Sequence, residues 1–313
     1  MTVAWSIQFI YRINHMRYIR KLFPLLVSLA TLTGCGQKAE KARLGLAQMN
    51  IPYTADAFIE NARQGGADAV TLFLKAGMDP DVKINEGQTA LEAAALANQS
   101  AIVKLLLDGG ADRNAKNRYD GTPLMNAAGK GHVEVVRLLL AKKADVQLKD
   151  KRGLTALMFA VLGNHTEIAK ALLEQGAAVD TRDDNGWTAL MRAAFKGHGE
   201  SALLLLENGA DVNARSNSGE SALIVSAENG RAETVKSLLE RGAHVNAQSD
   251  NGRTALMAAA KNVHIEIAKT LLTKGADLNA RDKSGKTAFE HAPTQANTEL
   301  VQLLKVAASP VVK

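Results

Sequence analysis

A chain of 313 residues is long enough for two ordinary domains, and with 46% hydrophobic residues it can bury a sizeable core. Aromatics are only 4% while Ala and Leu dominate, a balance that suits short, closely packed helices and tells against a sheet-rich fold. The formal charge of +6 suggests nucleic acid until it is located: Arg12, Arg17, Arg20 and Lys21 precede the only cysteine, with no acid among them, leaving 34 basic against 32 acidic residues elsewhere. A near-neutral remainder removes the main support for a nucleic-acid partner.

Residues 1–35 read as an address. Arg17-Tyr18-Ile19-Arg20-Lys21 is a positive n-region, and Leu22 to Leu32 is an apolar run broken only by Pro24, Ser28 and Thr31. Eleven residues cannot span a bilayer core, which needs about 20, but they suit a signal-peptide core. Leu32-Thr33-Gly34-Cys35 then resembles the lipobox of bacterial lipoproteins. The resemblance implies cleavage before Cys35 and fatty-acyl (palmitate) chains on it. The alternative is an ordinary buried thiol. Two or more acyl chains hold durably where one does not. Met16 begins a conventional signal of its own, so either Met1 or Met16 is the start. Gly36 is not the aspartate that retains such proteins at an inner membrane, which implies the outer membrane, facing the periplasm, in a host with two membranes. Residues 36–53 are polar and Lys/Ala-rich and are expected to form a tether.

From there a 33-residue period runs to the end. Thr89, Thr122, Thr155, Thr188, Ser221, Thr254 and Thr287 are each 33 apart, as are Leu106, Leu139, Leu172, Leu205, Leu238, Leu271 and Leu304. Each unit is predicted to be two short helices. The hydroxyl residue is the first helix's N-cap, and Pro123 sits at its first position. Pairs such as Ala127-Ala128 allow close approach, and Val133, Val136, Leu139 and Leu140 stripe the second helix. Gly110, Gly176, Gly209, Gly242 and Gly275 end it in the left-handed conformation, and turns such as Asp183-Asp184-Asn185-Gly186 lead onward. Lys143 stands where a terminating glycine belongs and predicts strain or a frayed end.

Gly121-Thr122-Pro123-Leu124, Gly131-His132 and Gly209-Ala210-Asp211-Val212-Asn213 resemble the ankyrin repeat. The resemblance implies an all-α solenoid of helix-turn-helix units with β-turn or hairpin connections over residues 54–309, in about eight units. The first copy, 54–86, is degenerate and lacks a threonine in register. The last carries Pro293 in its first helix and an outward Lys305. Met125, Met158, Met191 and Met257 replace the family's histidine, so the bonds it would make between repeats are not expected.

No catalytic constellation is legible. His132, His165, His198 and His264 hold equivalent places in different repeats, about 10 Å apart by helix spacing, and read as structural rather than as metal ligands. With no nucleophile elbow, P-loop or His-Glu-x-x-His, neither an enzyme, a cofactor nor a small-molecule substrate is expected. Partners of the family usually meet the concave face, built from the turn tips and first helices. Tyr119, Leu154, Leu162, Trp187 and Phe195 fall there on adjacent repeats, amid Arg118, Lys151, Arg152, Arg192, Lys196, Arg253 and Lys261, in the manner of an interface hot spot suited to an acidic protein partner. The alternative is that Leu154 and Phe195 pack against neighbouring repeats and the basic residues form a solvated face. Two roles stay open: an envelope scaffold or adaptor, and an immunity or inhibitor protein that sequesters a toxin or hydrolase.

Overall fold

The structure, a computed structural model, describes residues 34–293 and 298–308. The leader lies outside the described residues, and so does the side chain of Cys35, on which acylation is expected. Among those described, seventeen α-helices follow one another, with a single 3-10 turn at Asn85–Gly87 and an isolated bridge between Ile84 and Gln88. A leading helix, α1 (Gly34–Gln48), precedes eight pairs. These are α2 (Ala55–Gln64) with α3 (Ala67–Lys75), α4 (Ala90–Leu96) with α5 (Ser100–Asp108), α6 (Pro123–Lys130) with α7 (Val133–Ala141), and α8 (Ala156–Leu162) with α9 (Thr166–Glu174). Next come α10 (Ala189–Lys196) with α11 (Gly199–Glu207), α12 (Ala222–Glu228) with α13 (Ala232–Glu240), α14 (Ala255–Lys261) with α15 (Ile265–Thr273), and α16 (Ala288–His291) with α17 (Thr298–Ala308).

The capping chemistry repeats with the sequence. Each of Thr89, Thr122, Thr155, Thr188, Ser221, Thr254 and Thr287 accepts the N–H three residues on, which satisfies a donor that the helix leaves orphaned. Thr54 caps α2 in the same way. The first copy therefore has its hydroxyl after all, displaced by the longer first helix. Gly110, Gly176, Gly209, Gly242 and Gly275 all take positive φ after the second helices. Lys143 is forced to φ 59° at the equivalent place, and its N–H still bonds Leu140 O at 2.8 Å, so the departure is strain and not fraying.

First helices stack on first helices and second on second. The alanine pairs permit this: Ala127, Ala128, Ala193, Ala194, Ala259 and Ala260 are fully buried. In the second row Val135, Val136 and Leu139 face the core, while Val133 and Leu140 are only half-buried, so the apolar stripe is rotated from the expected one. Leu106, Leu139, Leu172, Leu205, Leu238 and Leu271 are inaccessible, and burying each contributes about 1.5–3 kcal/mol. Neighbouring repeats are also tied through backbone. Each tip donates an N–H to the previous tip, as from Lys151 to Tyr119 O, Asp184 to Arg152 O, Asn217 to Asn185 O and Asp250 to Ser218 O, at 3.0–3.1 Å.

Both ends correct the sequence reading. Residues 36–48 are not a tether: they belong to α1, which packs on α3 with Ala42 and Leu46 buried. Two apolar side chains four apart were enough to fix one helical face amid polar residues. The loop after it is held by Tyr53, whose ring stacks on Phe73 with centroids 5.8 Å apart and whose hydroxyl donates to Ala76 O at 3.1 Å. At the other end α16 stops at His291, before Pro293, because the residue preceding a proline is pushed out of the helical region. Lys305 is exposed, as expected of a terminal unit.

Candidate partner-binding face

From the third repeat onward each tip is closed by one side chain that stands five residues before the cap, whereas the second repeat has Ile84 there and closes through backbone bonds to Gln88. Asp183 Oδ1 accepts the N–H groups of Asn185 and Trp187, both at 2.9 Å. Asp150 does the same for Arg152 and Leu154, Asn117 for Tyr119 and Gly121, and Ser216 Oγ for Ser218 and Glu220. Asp183 is inaccessible to solvent through its side chain, and its second oxygen binds the Arg192 guanidinium. That guanidinium lies 5.0 Å from the Trp187 ring centroid, a cation–π distance. Trp187 in turn meets Phe195 edge-on at 5.9 Å, and Lys196 Nζ sits 5.8 Å from the Phe195 ring. A buried carboxylate therefore orders the tip, the guanidinium and the indole as one unit.

The other expected members separate into three groups. Tyr119 is exposed at its tip, with Arg118 across its ring at 4.6 Å. Phe195 is 39% exposed, whereas Trp187 and Leu162 are half-buried, and the Leu162 carbonyl accepts from His198. Leu154 is only 4% exposed and belongs to the core, so it leaves the patch. It stands at the same place as Trp187 but is short enough to be covered by its neighbours. Phe159, which sequence reasoning missed, joins the surface under Arg152 at 5.7 Å. It lies four residues after Thr155, the place that Arg192 holds after Thr188, and a column-by-column comparison would have found it.

The basic surround is largely neutralised within the chain. Arg118 pairs with Glu86 at 2.6 Å, Arg152 with Asp150 at 2.9 Å, Arg192 with Asp183, and Arg253 with both Glu220 and Glu228. Lys130, Lys151, Lys196 and Lys261 are exposed and carry no ion pair among the described residues. Between the tips of repeats five and six a shallow cavity of about 430 Å³ is lined by Asn185, Trp187, Arg192, Asn217 and Ser218. A hollow of about 560 Å³ lies on the second-helix row between α7 and α9, away from the aromatic cluster.

The histidines tie repeats together. His132 Nε2 lies 3.1 Å from Leu96 O, and His264 Nε2 lies 3.2 Å from Glu228 O, each carbonyl belonging to the preceding repeat's first helix. Gln99 and Arg231 occupy the same column and donate to Arg63 O and Phe195 O. Met125, Met158, Met191 and Met257 are buried core residues. One buried carboxylate stands apart: Glu92 accepts from Asn117 at 2.5 Å and Asn126 at 2.9 Å, and its removal from water pushes its pKa above 4.5 against those hydrogen bonds.

These features define a solenoid of capped helical hairpins whose tips and first helices present side chains along one surface. A family model described as ankyrin repeats, three copies, matches residues 58–150, 142–216 and 223–313, and the chain belongs to the ankyrin-repeat family. No curated protein matches it. Among solved structures it is similar to the crystal structure of the human ASB11 ankyrin repeat domain, at 27% identity and a TM-score of 0.66, over 71% of this chain and 99% of that one. Ankyrin repeats are protein-binding scaffolds, typically without enzymatic activity, and this chain is built on that module. No helix among the described residues is long and apolar enough to cross a membrane.

Proposed function

We propose that this protein is anchored in a bacterial envelope by acyl chains on Cys35, at the outer membrane where the host has two, and that it captures a protein partner as a scaffold or adaptor. The observation that carries the binding reading is the unit formed by Asp183, Arg192, Trp187 and Phe195. Its aromatic surface is partly open to solvent yet already ordered, so little side-chain entropy is left to lose on association. Interfaces draw most of their energy from such Trp, Tyr and Arg anchors. Tyr119, Arg118, Arg152, Phe159 and Leu162 flank it. The acidic character of the partner rests on Lys130, Lys151, Lys196 and Lys261, since the neighbouring arginines already face carboxylates.

Trp187 packs against the core, so replacing it with alanine would disturb folding as well as binding. The cleaner probe is Phe195→Ala combined with Lys196→Glu. Crosslinked pull-down from envelope fractions should lose at least tenfold of the captured partner, while helicity is unchanged and stability falls by no more than about 1 kcal/mol. Undiminished capture by the double variant would remove this face from the function. Cys35→Ser should release the protein from the membrane fraction.

A further inference from the structure

We propose that α1 seats the solenoid end-on against an anionic lipid bilayer, through Lys41 and the exposed Leu44, with Lys38 exposed one turn before Ala42 at the leading end of the helix. This rests on the reading of Cys35 as the lipid anchor and adds to it an orientation.

Helix α1 is attached to the repeats through Ala42 and Leu46, with Gly45 against Leu72 of α3. On the opposite flank, Gln37, Lys41, Leu44 and Gln48 follow helical spacing and are all exposed. Leu44 is 56% exposed, and Met49, just past the helix, is 46% exposed. Lys38, Lys41 and Arg43 take part in no ion pair among the described residues, and Glu40 is the one acid from 34 to 53. The first repeat has the opposite balance. Asp56, Glu60, Asp68, Asp79 and Asp81 outnumber Arg63 and Lys75 across 54–81. At this end of the stack a net positive charge is therefore confined to α1, which runs directly on from the expected anchor at Cys35.

Each Lys or Arg near an anionic surface raises partitioning by about fivefold. Two or three such residues recruit poorly from solution. Beside an acyl anchor the same attraction acts on a helix already at the surface, and becomes a bias of order tens to a hundredfold in orientation. The exposed flank points away from α3, along the stacking direction. Laying it on the bilayer stands the stack upright and holds the tips off the lipid. Trp187 lies about five helix spacings up, roughly 50 Å from the headgroups.

From Cys35 onward Trp187 is the sole tryptophan, so it reports this distance directly. The mature lipoprotein is reconstituted into phosphatidylglycerol-containing vesicles that carry a dansyl-headgroup acceptor, and energy transfer from Trp187 is measured. The upright arrangement gives transfer below about 10%. Lys38→Glu with Lys41→Glu, or purely zwitterionic vesicles, lets the solenoid tilt and raises transfer severalfold. Protein that floats with acylated Cys35, yet shows transfer insensitive to both changes or high throughout, overturns the orientation alone. Protein without acyl groups by mass spectrometry overturns the anchor reading, and the orientation with it.

Discussion

Replacing Asp183 with alanine tests how much one carboxylate contributes to the tip and the aromatic unit together. The wild-type side chain, itself without access to solvent, accepts two backbone N–H groups at 2.9 Å and holds the partly exposed Arg192 guanidinium. Each hydrogen bond to a buried charge contributes about 1.5–3 kcal/mol when its partner is deleted, and breaking a buried pair costs about 3–5 kcal/mol. Arg192 retains some exposure and can turn to water, which places the expected loss near 3 kcal/mol. Asp183→Asn should cost about half as much, because its Oδ1 can still accept both N–H groups, as Asn117 does two repeats earlier. The neighbouring Asp184→Ala, on an exposed residue, should stay within about 0.5 kcal/mol. Urea unfolding is followed by Trp187 fluorescence and by far-ultraviolet dichroism. Because repeats are stabilised largely by their neighbours, fluorescence in Asp183→Ala should melt ahead of the dichroism. Coincident midpoints for Asp183→Ala and Asp184→Ala would refute the reasoning.

Other perturbations test separate parts of the scaffold. Lys143→Gly relieves a lysine held at φ 59° where six other repeats use glycine, and should raise stability by about 1 kcal/mol in a urea titration. Burial raises the Glu92 pKa, so its contribution is fully present below pH 4.5 and is lost as pH rises through the folded value. Glu92→Gln removes that dependence: relative to wild type the variant should gain stability between pH 4 and neutrality, and a difference flat with pH would count against the assignment. Thr122→Ala removes the α6 cap and should lower stability by about 1 kcal/mol in the same titration.

The fold was legible because one period repeats caps, small residues and leucines together. Thr122, Ala127 and Leu139 each do in the structure what their columns imply. The departures came where periodicity gives no information. Helix α1 has no repeat partner in the sequence, and its burial depends on two residues, Ala42 and Leu46, that look unremarkable among lysines. The binding face was half legible. The positions of Trp187 and Phe195 followed from the period, but whether a given residue there is open or covered depends on the next repeat's side chains, which is why Leu154 is buried and Phe159 is not. Charge was the least legible quantity. A basic residue reads the same whether or not a carboxylate such as Asp183 or Glu220 folds onto it.

The bonds that run from tip to tip have a further consequence. They are made by peptide groups, so Lys151, Asp184, Asn217 and Asp250, four places with four kinds of neighbourhood, all donate in the same way. Spacing is thereby uncoupled from recognition. The outward side chains can be rewritten one after another while the rail beneath them keeps its gauge, and a new binding specificity needs no new architecture.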